Sequence, residues 1–129
     1  MPAVVLAAGI AVLSLWENPQ VPHEWQIGDK LAHGLMYTVL AIAWMVPLVK
    51  GKSPVIQNEV HRAFAPQNHQ SLIIRSMWVC VAVTAYGALM ELLQHYCTVT
   101  RSGDVMDILA DLIGAFIGVT AVTLIKIIK

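Results

Sequence analysis

Asp29, His33 and Tyr37 follow one another at intervals of four residues, and Lys30 stands three residues before His33. On a helix such positions share a face. A carboxyl, an ammonium, an imidazole and a phenol would then line one stripe. Two more segments carry comparable groups. Glu91, Gln94 and His95 form one, with Glu91 and Gln94 three residues apart; Arg101, Asp104, Asp107 and Asp111 form the other. Each residue has a plain reading. Asp29 can cap a helix, Lys30 can snorkel to a membrane surface, and Tyr37 can be an interfacial aromatic. Three segments bringing polar groups to one depth point instead to a shared cluster.

Several chemistries fit this set. His33 could serve as acid or base, oriented by Asp29 or Glu91. Lys30 and Arg101 could hold a phosphate or carboxylate, the arginine by paired contacts. The acids outnumber the bases around them, so a simple anion site is disfavoured and a cationic group on the ligand would relieve the repulsion. His33, His95, Glu91 and an aspartate could supply imidazole and oxygen ligands to zinc or manganese. No HExxH or comparable signature accompanies them, so no metal and no cofactor is assigned. The same residues could also form an internal network, Lys30 with Glu91 or Asp29 and Arg101 with Asp104 or Asp107, that fixes helix register without chemistry.

The elements that must position these groups are apolar. Of 129 residues, 57% are hydrophobic and 12% are Asp, Glu, Lys or Arg, about half the charge of an ordinary soluble domain. Mean hydropathy is +0.67. A hydrocarbon layer about 30 Å thick needs roughly 20 apolar residues at about 1.5 Å each. Four runs approach this, at about 3–16, 31–49, 72–93 and 105–128. The first is short and, lacking a preceding Lys or Arg, is a poor match to a signal peptide. A single all-α domain over 1–129, a bundle of four transmembrane helices, is the expected fold. Asp107, Asp111, Gly114 and Gly118 fall on one stripe of the last helix. Ala110, Gly114 and Gly118 make a ridge of small residues that permits close helix packing. If that ridge faces the bundle, Asp107 and Asp111 face it too.

Charge gives the bundle a polarity. Lys50, Lys52, Arg62, Arg75, Lys126 and Lys129 fall on one side and only Lys30 and Arg101 on the other. The 50–71 loop and both termini are therefore expected in the cytoplasm. Every acid except Glu59 maps to the opposite side. Trp16, Trp44 and Trp78 suit membrane interfaces. Within the loop, Ile56, Val60 and Phe64 make a stripe that suits a surface helix as well as an irregular loop. Cys80 and Cys97 lack any CxxC or zinc-finger spacing and are read as structural. With no net charge, there is no electrostatic case for nucleic acid.

The motifs Asp29-Lys30-x-x-His33-x-x-x-Tyr37, Glu91-x-x-Gln94, Arg101 with Asp107 six residues on, and Asp107-x-x-Ala110-Asp111-x-x-Gly114-x-x-x-Gly118 resemble the VanZ-like family of bacterial membrane proteins. Two positions depart: Asp111 stands where that family usually has Asn, and Gly34 where an aromatic is usual. The resemblance implies a multi-pass plasma-membrane protein linked to the cell envelope, since the family's name-giving member is associated with low-level teicoplanin resistance. It implies no agreed biochemical activity, and no residue here is assigned a catalytic role. The preferred reading is a polar site near the outer leaflet that takes an envelope lipid or a glycopeptide-related ligand. The competing one is an accessory subunit, with membrane lipids, partner subunits or further copies of the chain as its neighbours.

Overall fold

The computed structural model describes residues 2–16, 26–50, 69–98 and 104–128, and these are all-helical apart from short ends. The helices are α1 (Pro2–Leu15), α2 (Gln26–Val49), α3 (His69–Cys97) and α4 (Val105–Ile128). The expected loop stripe of Ile56, Val60 and Phe64 lies outside the described residues, as do Glu17, Glu24 and Arg101. Two helices run past their apolar segments. α2 begins at Gln26 rather than near residue 31, and α3 continues to Cys97 rather than ending near 93. Both extensions are polar turns at the same end of the bundle, where α4 supplies partners for Lys30 and α1 supplies one for Gln94.

Three stretches, Gly28–Val49, Ser71–Cys97 and Val105–Ile128, are long and apolar enough to cross a membrane. α1 has 14 residues, about 21 Å at 1.5 Å per residue, short of the hydrocarbon thickness. Outward positions carry large apolar side chains, among them Val81, Ile113, Phe116 and Ile117, each more than half exposed. A surface of that kind belongs against lipid rather than water.

α2 and α4 form the closest pair, α3 packs on both, and α1 touches α2 and α3 but not α4 among the described residues. Small residues explain the first pairing. A Cβ on Gly114 would run into the carbonyl oxygen of Gly34, and one on Gly118 would lie 2.6 Å from the Thr38 oxygen and 2.9 Å from Ala41 Cβ. The ridge of Ala110, Gly114 and Gly118 therefore faces α2, and the backbones approach as closely as glycine permits. The Thr38 hydroxyl lies 2.7 Å from the Gly34 carbonyl and 2.9 Å from that of Gly114, and bonds across the seam. Tyr37, Leu40, Ala41 and Met45 of α2 close the core with Val79 and Val83 of α3 and Ala115 and Val119 of α4.

Contacts fix the relative directions. Gln94, near the end of α3, donates to the Ser14 carbonyl near the end of α1 at 2.9 Å, and the Tyr86 hydroxyl donates to Ala7 at 2.6 Å. α1 and α3 thus end together where α2 and α4 begin. At the far end, Ser76 and Thr123 share a hydroxyl hydrogen bond of 2.6 Å, and Arg75 lies beside the Leu48 carbonyl at 3.5 Å. Lys50 follows α2 and Lys126 lies in the last turn of α4, at that same end.

Candidate functional site

The start of α4 organises the polar end. Asp104 caps it: the Met106 amide donates to Asp104 Oδ1 at 2.9 Å, and the Asp107 amide donates to the Asp104 carbonyl at 3.0 Å. A carboxylate at this position satisfies an otherwise orphaned amide and sits favourably on the helix dipole. The Asp104 amide in turn donates to Glu91 Oε2 at 2.9 Å, tying α4 to α3. Lys30 reaches across from α2 and donates to Asp104 Oδ2 at 2.7 Å and Asp107 Oδ1 at 3.0 Å. The Lys30 ammonium and the Met106 amide together hold the Asp104 carboxyl below its ordinary value of 3.8.

One turn deeper, His33 Nδ1 lies 3.2 Å from Asp111 Oδ1 and 3.8 Å from Glu91 Oε1. Tyr37 lies beneath, its ring nearly parallel to that of His33 with centroids 6.4 Å apart. Exposure falls steeply along this path. The Lys30 and Asp104 side chains are 33% and 46% exposed, those of His33, Glu91 and Asp111 between 0% and 5%. The site has an exposed mouth and a buried floor. On the floor, Glu91 Oε1, Asp111 Oδ2 and the Tyr37 hydroxyl have no hydrogen-bond partner among the described residues. Burying such atoms unsatisfied is costly.

Of the residues singled out in the sequence, the structure brings Asp29, Lys30, His33, Tyr37, Glu91, Asp107 and Asp111 to this end of the bundle. Gln94 is buried at the same level but turns to α1. His95 is exposed and meets Tyr96 edge-to-face, with ring centroids 5.1 Å apart, and among the described residues it stands apart from the cluster. Lys30 pairs with Asp104 and Asp107, two acids outside its expected pairing with Glu91 or Asp29, because the lysine lies opposite the α4 cap. His33 Nδ1 lies nearer to Asp111 than to Glu91, and Asp29 also comes within 4.8 Å of an imidazole nitrogen.

Gly87 was not anticipated. A Cβ there would strike the Asp111 carboxylate and lie 3.0 Å from the Tyr37 ring. Its only trace in the sequence is its place four residues before Glu91, on the same helix face. Two apolar grooves lie elsewhere. A groove of about 430 Å3 runs between Trp44, Leu48, Arg75, Trp78 and Val83, and another of about 380 Å3 lies between α3 and α4. Both are apolar and open to the lipid side.

An all-helical bundle with membrane-length apolar helices and a polar cluster confined to one end defines a multi-pass membrane protein. The family model described as VanZ/LLP1 matches residues 4–126, and the chain belongs to that family. No curated protein and no solved structure matches it.

Proposed function

We propose that the chain is a cell-envelope protein of the plasma membrane whose polar mouth, turned to the outer leaflet, binds an amine-bearing headgroup of an envelope lipid. The observation that carries this reading is the mouth itself. Lys30 and Asp104 remain a third to nearly half exposed while bonded to each other, and Asp29 and Asp107 lie beside them. Among the described residues the acids at the mouth outnumber the Lys30 ammonium, which disfavours a purely anionic ligand. A zwitterionic headgroup fits better: its ammonium can meet the carboxylates, and its phosphate can share Lys30. The outward orientation is supported by Lys50, Arg75 and Lys126 gathering at the opposite end, as expected for the cytoplasmic side.

The test is native mass spectrometry of the detergent-extracted protein with phosphatidylethanolamine and, separately, phosphatidylglycerol. Phosphatidylethanolamine adducts should survive the higher activation energy, and Asp29→Asn should remove that preference. Equal retention of the two lipids would defeat the proposal. A glycopeptide competing with phosphatidylethanolamine would keep the site and change its ligand.

The accessory-subunit reading draws on the double pairing of Lys30, which suits a network built to lock helix register. Extraction in mild detergent separates the two readings. Co-purification with fixed partners in constant ratio favours the subunit, and a monomer that retains lipid favours the site.

A further inference from the structure

We propose that His33, Glu91 and Asp111 form a divalent-metal site on the floor of the cluster, for an ion of the zinc or manganese type. The three ligand atoms lie within 4.8 Å of one another, and all three residues are buried. A single nitrogen, His33 Nδ1, faces both carboxylates, at 3.2 Å from Asp111 and 3.8 Å from Glu91. One N–H can serve only one of them, which leaves Glu91 Oε1 without a hydrogen bond among the described residues, at 3% exposure of its side chain. A cation answers both contacts. Ligands about 2.0–2.1 Å from a tetrahedral ion stand about 3.3 Å from each other, and the two separations from His33 Nδ1 fall on either side of that figure. One imidazole and two carboxylates suit zinc and manganese, and two negative charges buried together are balanced by one divalent ion.

The surroundings fit as well. The other oxygen of Glu91 is held by the Asp104 amide at 2.9 Å, which orients the carboxylate as an outer-shell contact orients a metal ligand. Asp29 and Asp107 bring carboxyl oxygens within 4.8 Å of an imidazole nitrogen of His33, where they can orient the ring. Gly87 leaves the room into which Asp111 Oδ2 projects. Three protein ligands leave a further position for water or a ligand, the pattern of an open rather than a closed site. The inference rests on the floor alone and holds whether or not the mouth takes a headgroup.

The experiment uses full-length protein extracted without a polyhistidine tag, stripped with EDTA, dialysed and titrated with Co2+, Zn2+ and Mn2+. One ion per chain is expected, with a Co2+ d–d band that Zn2+ abolishes. Glu91→Gln and His33→Ala should weaken binding by about a hundred-fold or more, beyond the loss of an outer-shell partner. Electron-spin-echo spectroscopy of the Mn2+ form needs no variant and should show one directly bound imidazole nitrogen. The proposal is overturned by wild-type protein that takes up none of the three ions in stoichiometric amount. It is overturned equally by a Mn2+ form without nitrogen coupling, or by full uptake in a folded His33→Ala variant. Metal uptake without any phosphatidylethanolamine preference would sink the headgroup reading and leave this one standing.

Discussion

At the scale of single residues, Asp104 does three jobs: it caps α4, pairs with Lys30 and presents its amide to Glu91. Its charge can be separated from its shape. Its carboxyl is held below 3.8 by the Lys30 ammonium first and the Met106 amide second. A carboxyl whose value is depressed on folding adds stability that is fully present above the unfolded value. That stability is lost as pH falls through the lowered folded value. Acidification from about pH 4 downward should therefore lower the melting temperature of the detergent-solubilised protein. Asp104→Asn should show a shallower fall, because asparagine caps a helix as well as aspartate does but carries no charge to lose. Parallel melting curves for the two proteins across that range would remove the Lys30–Asp104 pair as a source of acid sensitivity.

Single residues also mark where the sequence was informative and where it was not. The i, i+4 spacing of Asp29, His33 and Tyr37 gives a face, and the ends of the apolar runs give a depth, so the gathering of polar groups at one end was legible. Spacing along one helix does not say which neighbour that face meets. Lys30 therefore found Asp104 and Asp107 rather than Glu91, and His33 found Asp111. Gly87 was invisible for a related reason. A lone glycine in an apolar run acquires meaning only when a carboxylate from another helix occupies the place of its missing side chain.

At the scale of elements, the seam between α2 and α4 decides how closely the cluster is drawn together. Lys30 and His33 ride on one helix and Asp107 and Asp111 on the other, so any widening of the seam separates the pairs. Gly114 and Gly34 face each other there but differ in tolerance. A Cβ on Gly114 meets the Gly34 carbonyl oxygen, a backbone atom that cannot swing away. One on Gly34 lies 3.6 Å from the Ala110 oxygen, an ordinary contact. Gly114→Ala should destabilise the protein by about 1–3 kcal/mol, the usual cost of overpacking, and Gly34→Ala should be close to neutral. Thermal melts of both variants in one detergent test this, and equal melting temperatures would contradict the glycine seam. The ridge Ala110, Gly114, Gly118 was readable because small residues repeat every four positions. The polar turns at the start of α2 and the end of α3 were not, since hydropathy marks the hydrocarbon core and is silent about helix that continues beyond it.

At the scale of the whole molecule, the arrangement is sided. α2 and α4 begin, and α1 and α3 end, at the acidic pole, while Lys50, Arg75 and Lys126 occupy the other. A natural probe stands at each level. Cys97, the last residue of α3, is exposed at the acidic pole, whereas Cys80 is partly buried within the apolar span. If the acidic pole faces outward, a membrane-impermeant maleimide added to intact cells should label the protein once, and Cys97→Ser should abolish the labelling. Cys80→Ser should leave it unchanged. Labelling that requires the membrane to be opened first would invert the orientation. The mouth of Lys30 and Asp104 would then face the cytoplasm, and the headgroup it receives would have to come from the inner leaflet. The metal site would be unaffected, because its three ligands are defined by the helix packing and not by the side of the membrane to which that pole is turned.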